Sequence, residues 1–272
     1  MEKRHIPKGD SPGDLPAGHR VDFLGYPVTD VPIEVLVQEI EQRLVRHQST
    51  HVLNFNPYHF LLARNHPEFR RVCETSDIIF ADGVGIKLAS SWSSFRIRNR
   101  YTGSDVMAQL CALAGRKGYS IFLFGGQDGI AMQCAQRLSR QVPGLRIAGT
   151  MEPPYSEDIE AWDNGSIVRT IKRTAPDILF VALGAPKQEQ WIDRYRSKLK
   201  VPIMMGVGGS FDILGGRFAR APQWMRVAGL EWLYRLGVEP RRLSRRYLLG
   251  IPQFIAVVLA MRLGIRGIKS SP

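Results

Sequence analysis

The chain alternates between short apolar runs and segments in which apolar residues recur every three or four positions. The apolar runs have the length of β-strands and are bounded by turn-forming residues. The predicted strands are His51–Phe55, Asp77–Phe80, Ser120–Phe124, Arg146–Gly149, Asp177–Leu183 and Pro202–Gly206. The helical segments between them include Val84–Trp92, Ser104–Lys117, Gly129–Gln141, Ser156–Thr174 and Pro186–Leu199. This alternation, with continuously apolar strands, favours an α/β fold with a doubly wound, mostly parallel, Rossmann-like sheet.

The pattern changes at about Pro222. Helical segments rich in arginine follow, namely Gln223–Leu236, Pro240–Leu249 and Ile251–Leu263. We therefore expect an α/β domain over residues 21–222 and a helical, basic appendage over residues 223–272. Residues 1–20 mix Pro, Gly, His and charge without apolar periodicity or a hydrophobic leader segment, which predicts a flexible N-terminal arm.

The formal charge of +12 is concentrated in the appendage. The basic residues from Arg217 onward are Arg217, Arg220, Arg226, Arg235, Arg241, Arg242, Arg245, Arg246, Arg262, Arg266 and Lys269. Only Glu231 and Glu239 oppose them. Such asymmetry indicates an anionic partner at this end of the chain.

The apolar run Tyr247–Leu263 is interrupted by Gly250 and Pro252 and falls short of the roughly 20 residues that span a bilayer. A helix lying in the membrane interface, with arginines that meet anionic lipid, fits this pattern. The alternative is a C-terminal helix that packs on the core. The first interpretation predicts a cytoplasmic protein bound peripherally to the inner face of the cell membrane.

The sequence contains no CxxC, HExxH or Asp-x-Asp motif, so no metal site is predicted. All six histidines lie in the first quarter of the chain, which makes a carboxylate base more natural than a Ser-His-Asp triad.

Polar and glycine residues follow five of the predicted strands, where ligands bind in open α/β sheets. Gly125-Gly126, with Gly129, has the form of a phosphate-binding turn or of a plain tight turn. Gly184 precedes Lys187, which either points toward the same anion or is solvated. Asp82 is either a turn former or a catalytic base.

A sugar-nucleotide reaction needs a base for the acceptor hydroxyl and positive groups for the departing diphosphate. Asp82 suits the first role. Because no Asp-x-Asp metal motif is present, arginines of the appendage suit the second.

Nine motifs follow one another in the order of a known family. They are Asn56-Pro57, Phe80–Gly85, Arg100–Asp105, Phe122–Gly126, Pro153–Tyr155, Leu183–Glu189, Gly206–Asp212, Arg220–Pro222 and Gly229–Leu236. Over about Val21 to Arg246 the chain resembles the WecG/TagA/CpsF glycosyltransferases (glycosyltransferase family 26). The resemblance implies a metal-independent, inverting transfer from a UDP-sugar to a polyprenyl-diphosphate-linked sugar, with no cofactor. Known members use N-acetylmannosamine, its uronic acid or glucose in teichoic acid, enterobacterial antigen or exopolysaccharide assembly.

The resemblance also assigns roles to residues. Asp82 matches the proposed base. The residues implied to line the acceptor and sugar pocket are Asn56, Arg100 and Gln188. The residues implied to lie near the uridine diphosphate are Gly126, Tyr155, Lys187, Gly208 and Asp212, and Gly125 and Gly184 belong to the same turns. The appendage candidates for the diphosphate are Arg241, Arg242, Arg245 and Arg246.

Family members often carry Thr where this chain has Asn54, and an amide there changes the hydrogen bonds offered near the sugar. Two other classes of protein fit the sequence less well. A nucleotide-binding Rossmann protein without transferase activity calls for a fuller GxGxxG motif. A nucleic-acid-binding protein is suggested by the pI near 10, but Leu, Ile and Trp interleave with the arginines, which favours a membrane surface. The sequence is compatible with a homo-oligomer and does not determine the oligomeric state.

Overall fold

Eight strands form one sheet in the computed structural model, which describes residues 20–91 and 96–263. The strands are β1 (Arg20–Phe23), β2 (Tyr26–Thr29), β3 (Thr50–Phe55), β4 (Ile78–Ala81), β5 (Ser120–Gly125), β6 (Arg146–Met151), β7 (Ile178–Ala182) and β8 (Ile203–Gly206). Their order is β1-β2-β4-β3-β8-β7-β5-β6. β1 pairs antiparallel with β2, and the other pairings are parallel. The predicted α/β fold with a mostly parallel sheet is confirmed, and so are the six predicted strands.

Helices connect the strands and form the C-terminal part of the described chain. They are α1 (Ile33–Val45), α2 (Pro57–Asn65), α3 (Pro67–Thr75), α4 (Val84–Ser90), α5 (Gly103–Lys117), α6 (Ile130–Gln141), α7 (Asn164–Thr174), α8 (Lys187–Leu199), α9 (Ser210–Gly215), α10 (Gln223–Val227), α11 (Glu231–Val238), α12 (Pro240–Ser244) and α13 (Gly250–Arg262). A 3-10 turn (Ile159–Ala161) precedes α7, and a π-helical turn (Arg245–Leu249) joins α12 to α13.

The parallel strands are apolar on both faces because helices cover both faces. In β7, Ile178 and Phe180 pack in a cluster with α1, α5, α6 and α9. The alternate residues Leu179 and Val181 pack with α7 and α8 on the opposite face. A third cluster joins β1–β4 to α2, α3, α4 and α13. Side chains two apart on a strand share a face, so this division follows directly from the strand geometry.

The hairpin of β1 and β2 was not predicted. Each strand has only four residues, and Pro27 interrupts the strand pattern. Leu24 and Gly25 form the turn with positive φ angles of 54° and 96°. The Gly25 N–H donates to Asp22 Oδ1 at 2.7 Å, which closes the turn.

Two predicted helices are each divided in the structure. Ser156–Thr174 becomes the 3-10 turn and α7, because Asp163 caps α7 by accepting the Ser166 N–H at 3.0 Å. Gln223–Leu236 becomes α10 and α11, with the break at Gly229. Gly229 has a φ of 76°, and a Cβ there would lie 2.9 Å from Val84. Both predictions of one continuous helix are therefore wrong.

The C-terminal helices are more continuous than the sequence suggested. The π-helical turn accommodates Pro252, which has no N–H, so one helix runs from Pro240 to Arg262. This helix is longer than the apolar run Tyr247–Leu263 because it includes α12, and by length and composition it could cross a bilayer. One face packs on α2 through Phe254, Val257 and Val258, so the core-packing interpretation holds for that face.

Some predictions lie outside the described residues. They concern the arm at residues 1–19, Trp92, Arg266 and Lys269. The division of the chain at residues 222 and 223 stays a prediction.

Candidate active site

The carboxyl ends of β3, β4, β5, β7 and β8 open onto one large cavity of about 1960 Å³. Its other walls include residues of α2 and α4, the Pro153–Ser156 loop and the appendage. Of the predicted site residues, those that line the cavity are Asn56, Asp82, Arg100, Gly126, Tyr155, Gly184, Lys187, Gln188, Gly208, Asp212, Arg242, Arg245 and Arg246. Gly125 and Arg241 do not line it. The fold therefore brings together almost all the residues that the sequence assigned to one site.

Asp82 is the carboxylate at the end of β4. Its backbone N–H donates to the Phe55 carbonyl at 2.8 Å, and its carboxylate Oδ2 accepts from Asn54 Nδ2 at 3.3 Å. Burial raises the pKa of Asp82 to about 6, although positive charge at Arg246 and Arg235 acts in the opposite direction. A carboxylate with a pKa near neutrality is suited to accept a proton as a general base.

Two asparagines from the end of β3 lie beside this base. Asn54 is buried, and its Oδ1 has no hydrogen-bond partner. Asn56 caps α2, because its Oδ1 accepts the N–H groups of Tyr58 and His59 at 3.0 and 3.1 Å. The Asn56 oxygen is thus committed to the helix, and only its amide nitrogen is left for a ligand.

The glycine turn after β5 differs from its predicted role. Gly125 has a φ of 105°, and a Cβ there would lie 2.6 Å from the Ala182 carbonyl oxygen, so this glycine allows β5 to approach β7. The Gly126 N–H donates to that same carbonyl at 2.9 Å. Gly126 lines the cavity, but its N–H is already satisfied.

The N-terminus of α6, which follows this turn, is also occupied. Glu152 accepts the Gly129 N–H at 2.9 Å and the Ala131 N–H at 2.8 Å. A carboxylate from the end of β6 therefore takes the place that a phosphate would fill. The expectation that this turn presents free N–H groups to an anion is wrong for Gly126 and Gly129.

Lys187 and Tyr155 form one edge of the cavity. Lys187 Nζ donates to the Ser156 carbonyl at 3.0 Å and lies 5.6 Å from the centre of the Tyr155 ring. Tyr155 is 72% exposed. Lys187 is therefore held against the loop rather than free in solvent, and its charge lies at the rim of the cavity.

Gln188 is 2% exposed, and its side chain is hydrogen-bonded to the turns that follow two strands. Its Oε1 accepts the N–H groups of Gly184 and Gly208 at 3.2 and 3.0 Å, which joins the turns after β7 and β8. In α9, which follows the second turn, Asp212 accepts from Arg217 at 3.2 Å. Burial raises the pKa of Asp212 despite the positive charge at Arg242 and Arg217.

The appendage places arginines over the β8 turn. A Cβ built on Gly209 would lie 2.6 Å from Arg235 and 2.7 Å from Arg242, so both guanidinium groups contact this turn. Glu239 joins them through ion pairs of 3.3 and 2.7 Å. The cavity therefore receives at least two positive charges from the appendage beside Asp212.

The remaining predicted arginines occupy different places. Arg246 lies 4.7 Å from the centre of the Tyr58 ring, and Arg245 lies at the exposed rim. Arg241 is exposed and does not line the cavity. Arg100 donates to the Arg226 carbonyl at 3.0 Å and so fixes the end of α10.

Three charged residues of the appendage that line the cavity were not predicted as site residues from the sequence. Arg235, Glu231 and Glu239 all line the cavity, although only their charge was noted from the sequence. Burial raises the pKa of Glu231 despite the positive charge at Arg220. The Gly229–Leu236 motif, which contains Glu231 and Arg235, was the signal that could have identified two of them.

Among the described residues, no group of three or more His, Cys, Asp and Glu side chains has the arrangement of a metal site.

Comparison with known proteins places the chain among glycosyl transferases. A sequence model of the glycosyl transferase WecG/TagA/CpsF family matches residues 21–267 and so includes the appendage. A Bacillus subtilis (strain 168) protein is 35% identical over 204 residues, which is 75% of this chain and 77% of the relative. A Bacillus spizizenii protein is 30% identical over 241 residues, or 89% of each chain, and a Staphylococcus aureus (strain NCTC 8325) protein is 27% identical over 253 residues, or 92% and 96%. All three relatives are named N-acetylglucosaminyldiphosphoundecaprenol N-acetyl-beta-D-mannosaminyltransferase. The chain belongs to the WecG/TagA/CpsF family of glycosyl transferases.

Proposed function

We propose that the protein transfers N-acetylmannosamine, or a related hexose or N-acetylhexosamine, from a UDP-sugar to a polyprenyl-diphosphate-linked sugar. The observation that carries the proposal is the placement of Asp82 in a cavity that Arg235 and Arg242 also line. The names of the relatives support both the transferred sugar and a lipid-linked N-acetylglucosamine acceptor.

In the proposed reaction, Asp82 takes the proton from the acceptor hydroxyl as that oxygen bonds to the anomeric carbon of the donor. The bond from this carbon to the UDP oxygen breaks, and its electron pair leaves with UDP. One displacement of this kind inverts the configuration at the anomeric carbon. The pKa of about 6 at Asp82 supports the role, because the carboxylate is ionised at neutral pH and still basic.

The leaving diphosphate gains negative charge as the bond breaks, and fixed positive groups stabilise that charge. We assign this task to Arg235 and Arg242, and Arg245 and Arg246 line the same cavity. These four residues are called the arginine wall below. In many glycosyltransferases a metal ion has this role. The arginine wall supports a metal-independent reaction for this protein.

A lipid-linked acceptor calls for contact with the membrane, and the continuous C-terminal helix supports such contact. Several of its apolar side chains are solvent-exposed, with Ile255, Leu259 and Met261 each 40% exposed. An apolar face beside arginines is typical of helices that lie at an anionic bilayer surface. We therefore propose peripheral binding at the cytoplasmic face of the membrane.

The test is UDP release from a panel of UDP-sugars, with a short-chain prenyl-diphosphate-linked N-acetylglucosamine as acceptor and with EDTA present. The proposal predicts acceptor-dependent release with the N-acetylmannosamine donor and a product heavier by one N-acetylhexosamine residue. Release that stops when EDTA is added would contradict metal independence. If no donor supports acceptor-dependent release, the proposed transfer is wrong.

The Asn54→Thr variant, assayed with the same panel, tests the donor specificity. Asn54 Nδ2 contacts the base, so restoring the threonine common in the family is expected to change the ratio of kcat/KM values between donors. An unchanged ratio would show that this position does not select the sugar.

A further inference from the structure

Two buried polar side chains, His59 in the cavity lining and Glu189 outside it, have no part in the proposed transfer. His59 is 1% exposed and Glu189 is fully buried, and His59 Nε2 lies 3.2 Å from Glu189 Oε1. The His59 ring lies between the rings of Phe55 and Phe69, at centroid distances of 6.3 and 5.8 Å. A buried pair of ionisable side chains seldom adds net stability, because the cost of removing both groups from water offsets the attraction between them.

The direction of each hydrogen bond in this pair is fixed by its neighbours. The backbone N–H of Asn56 donates to His59 Nδ1 at 3.3 Å, so this nitrogen carries no proton. The ring proton therefore lies on Nε2 and is donated to Glu189 Oε1. The same carboxylate oxygen accepts from Gln188 Nε2 at 2.6 Å.

The hydrogen bond that Gln188 Nε2 donates to Glu189 Oε1 determines the orientation of the Gln188 amide. With Nε2 turned toward Glu189, Oε1 faces the two backbone N–H groups of Gly184 and Gly208 and accepts both. A flipped amide would bring NH₂ against these two donors. The amide fits in this place because Gly206 has no side chain, since a Cβ there would lie 2.6 Å from Gln188 Nε2.

These contacts form one directional chain across three neighbouring strands of the sheet. It begins at Asn56 after β3, passes through His59, Glu189 and Gln188, and ends at the turns after β7 and β8. β3 and β7 are the two neighbours of β8, and the three turns line the same cavity. The buried pair His59 and Glu189 is therefore connected to the cavity wall through a continuous series of hydrogen bonds.

We propose that Glu189 and His59 are positioning residues that orient Gln188, so that its amide oxygen holds the Gly184 and Gly208 turns in the geometry that binds the diphosphate end of the donor. This inference rests on the proposed function, because it assumes that this wall binds a nucleoside diphosphate. Neither residue contacts the ligand, and both act through Gln188.

Calorimetric binding of UDP, measured beside thermal unfolding, tests the inference without relying on turnover. Glu189→Met removes the accepting oxygen and is expected to raise the Kd for UDP about tenfold, the effect of one lost positioning hydrogen bond. Glu189→Gln keeps the accepting oxygen and changes Oε2, which has no partner, so its Kd is expected to stay within about twofold of wild type. In a Gln188→Met background, Glu189→Met is expected to add no further loss.

The matched control is Glu39→Met. Glu39 is a buried carboxylate in α1, 4% exposed, that pairs with Arg43 at 2.8 Å and does not line the cavity. Its loss is expected to lower the melting temperature without changing the Kd for UDP. If Glu189→Met does not fold, His59→Phe removes the donor to Glu189 while an aromatic ring still fills the space between Phe55 and Phe69, and a raised Kd is again expected.

Three results would overturn the inference: folded Glu189→Met that binds UDP like wild type, additive losses in the double variant, or equal losses for the Met and Gln substitutions. A wild-type protein that binds no UDP would overturn the proposed function and this inference together. Wild-type binding with an unaffected Glu189→Met variant overturns this inference alone.

Discussion

The two walls of the cavity are constructed differently. On the sheet side, Asp82 is a short side chain whose backbone pairs with Phe55 and Tyr101. On the appendage side, Arg235 and Arg242 are long side chains that share one carboxylate partner, Glu239. A proton-accepting group must lie within hydrogen-bonding distance of its target, whereas charge stabilisation falls off more slowly with distance. The sheet thus provides precise placement, and the appendage provides charge.

The largest effect is expected for Asp82→Asn, which removes the base but keeps the shape of the side chain. Turnover should fall about 1000-fold, within the usual contribution of a general base. The Kd for UDP should change little, because the diphosphate is assigned to the arginine wall. Steady-state transfer and calorimetric UDP binding measure the two effects on the same preparation.

The control for this substitution is Asp193→Asn. Asp193 pairs with Arg71 outside the cavity lining, so its loss is expected to leave both turnover and UDP binding unchanged. A loss of UDP binding in folded Asp82→Asn would instead place Asp82 in the nucleotide subsite.

The next largest effect is expected on the appendage side, where two adjacent arginines make a matched pair. Arg242 contacts the β8 turn, whereas Arg241 is exposed and does not line the cavity. Arg242→Ala should lower kcat/KM about 30-fold through loss of charge-assisted contacts, and Arg241→Ala should stay within about twofold. Equal effects for the two substitutions would contradict the assignment of the arginine wall.

A smaller effect is expected at the membrane. The double substitution Leu259→Ser and Leu263→Ser makes the exposed apolar surface at the end of α13 polar, and neither residue lines the cavity. It should lower binding to anionic vesicles about tenfold, because two apolar side chains no longer enter the interface. Activity on a short-chain soluble acceptor should be retained. Vesicle flotation measures the first result, and unchanged flotation would show that another surface contacts the membrane.

The pH dependence of wild-type activity follows from the buried carboxylate. The raised pKa means that Asp82 is ionised above about pH 6 and protonated, hence inactive as a base, below it. The kcat/KM value should therefore be level near neutrality and fall about tenfold for each pH unit below 6. An acid limb centred near the ordinary pKa of 3.8 would show that burial does not act on the working base.

The sequence predicts best the positions of site residues that closely follow a strand of the sheet. Asp82, Gln188 and Asp212 each follow a parallel strand closely, so the topology alone brings them to one edge of the sheet. The sequence predicts less well the contacts that a residue makes with an element distant in the chain. Glu152 reaches α6 from the neighbouring strand end, and nothing in the local sequence of the glycine turn indicates that its N–H groups are already occupied.

The same reasoning explains the appendage. The arginine content was evident from the sequence, but only the break at Gly229 and the π-helical turn determine which guanidinium groups enter the cavity. Arg235 was consequently overlooked and Arg241 was included. The exposed and core-facing sides of α13 could not be separated for the same reason, because the packing on α2 selects the buried face.

The central claim is that the sheet and the appendage form one electrostatic site, and the pH profile of Arg246→Gln tests it most directly. Among the charges that lower the pKa of Asp82 against the effect of burial, Arg246 is the largest contributor. Removing it should raise the apparent pKa of the acid limb of kcat/KM above that of wild type. An acid limb that stays at the wild-type position in the folded variant would contradict the account, because the appendage would then not act on the base.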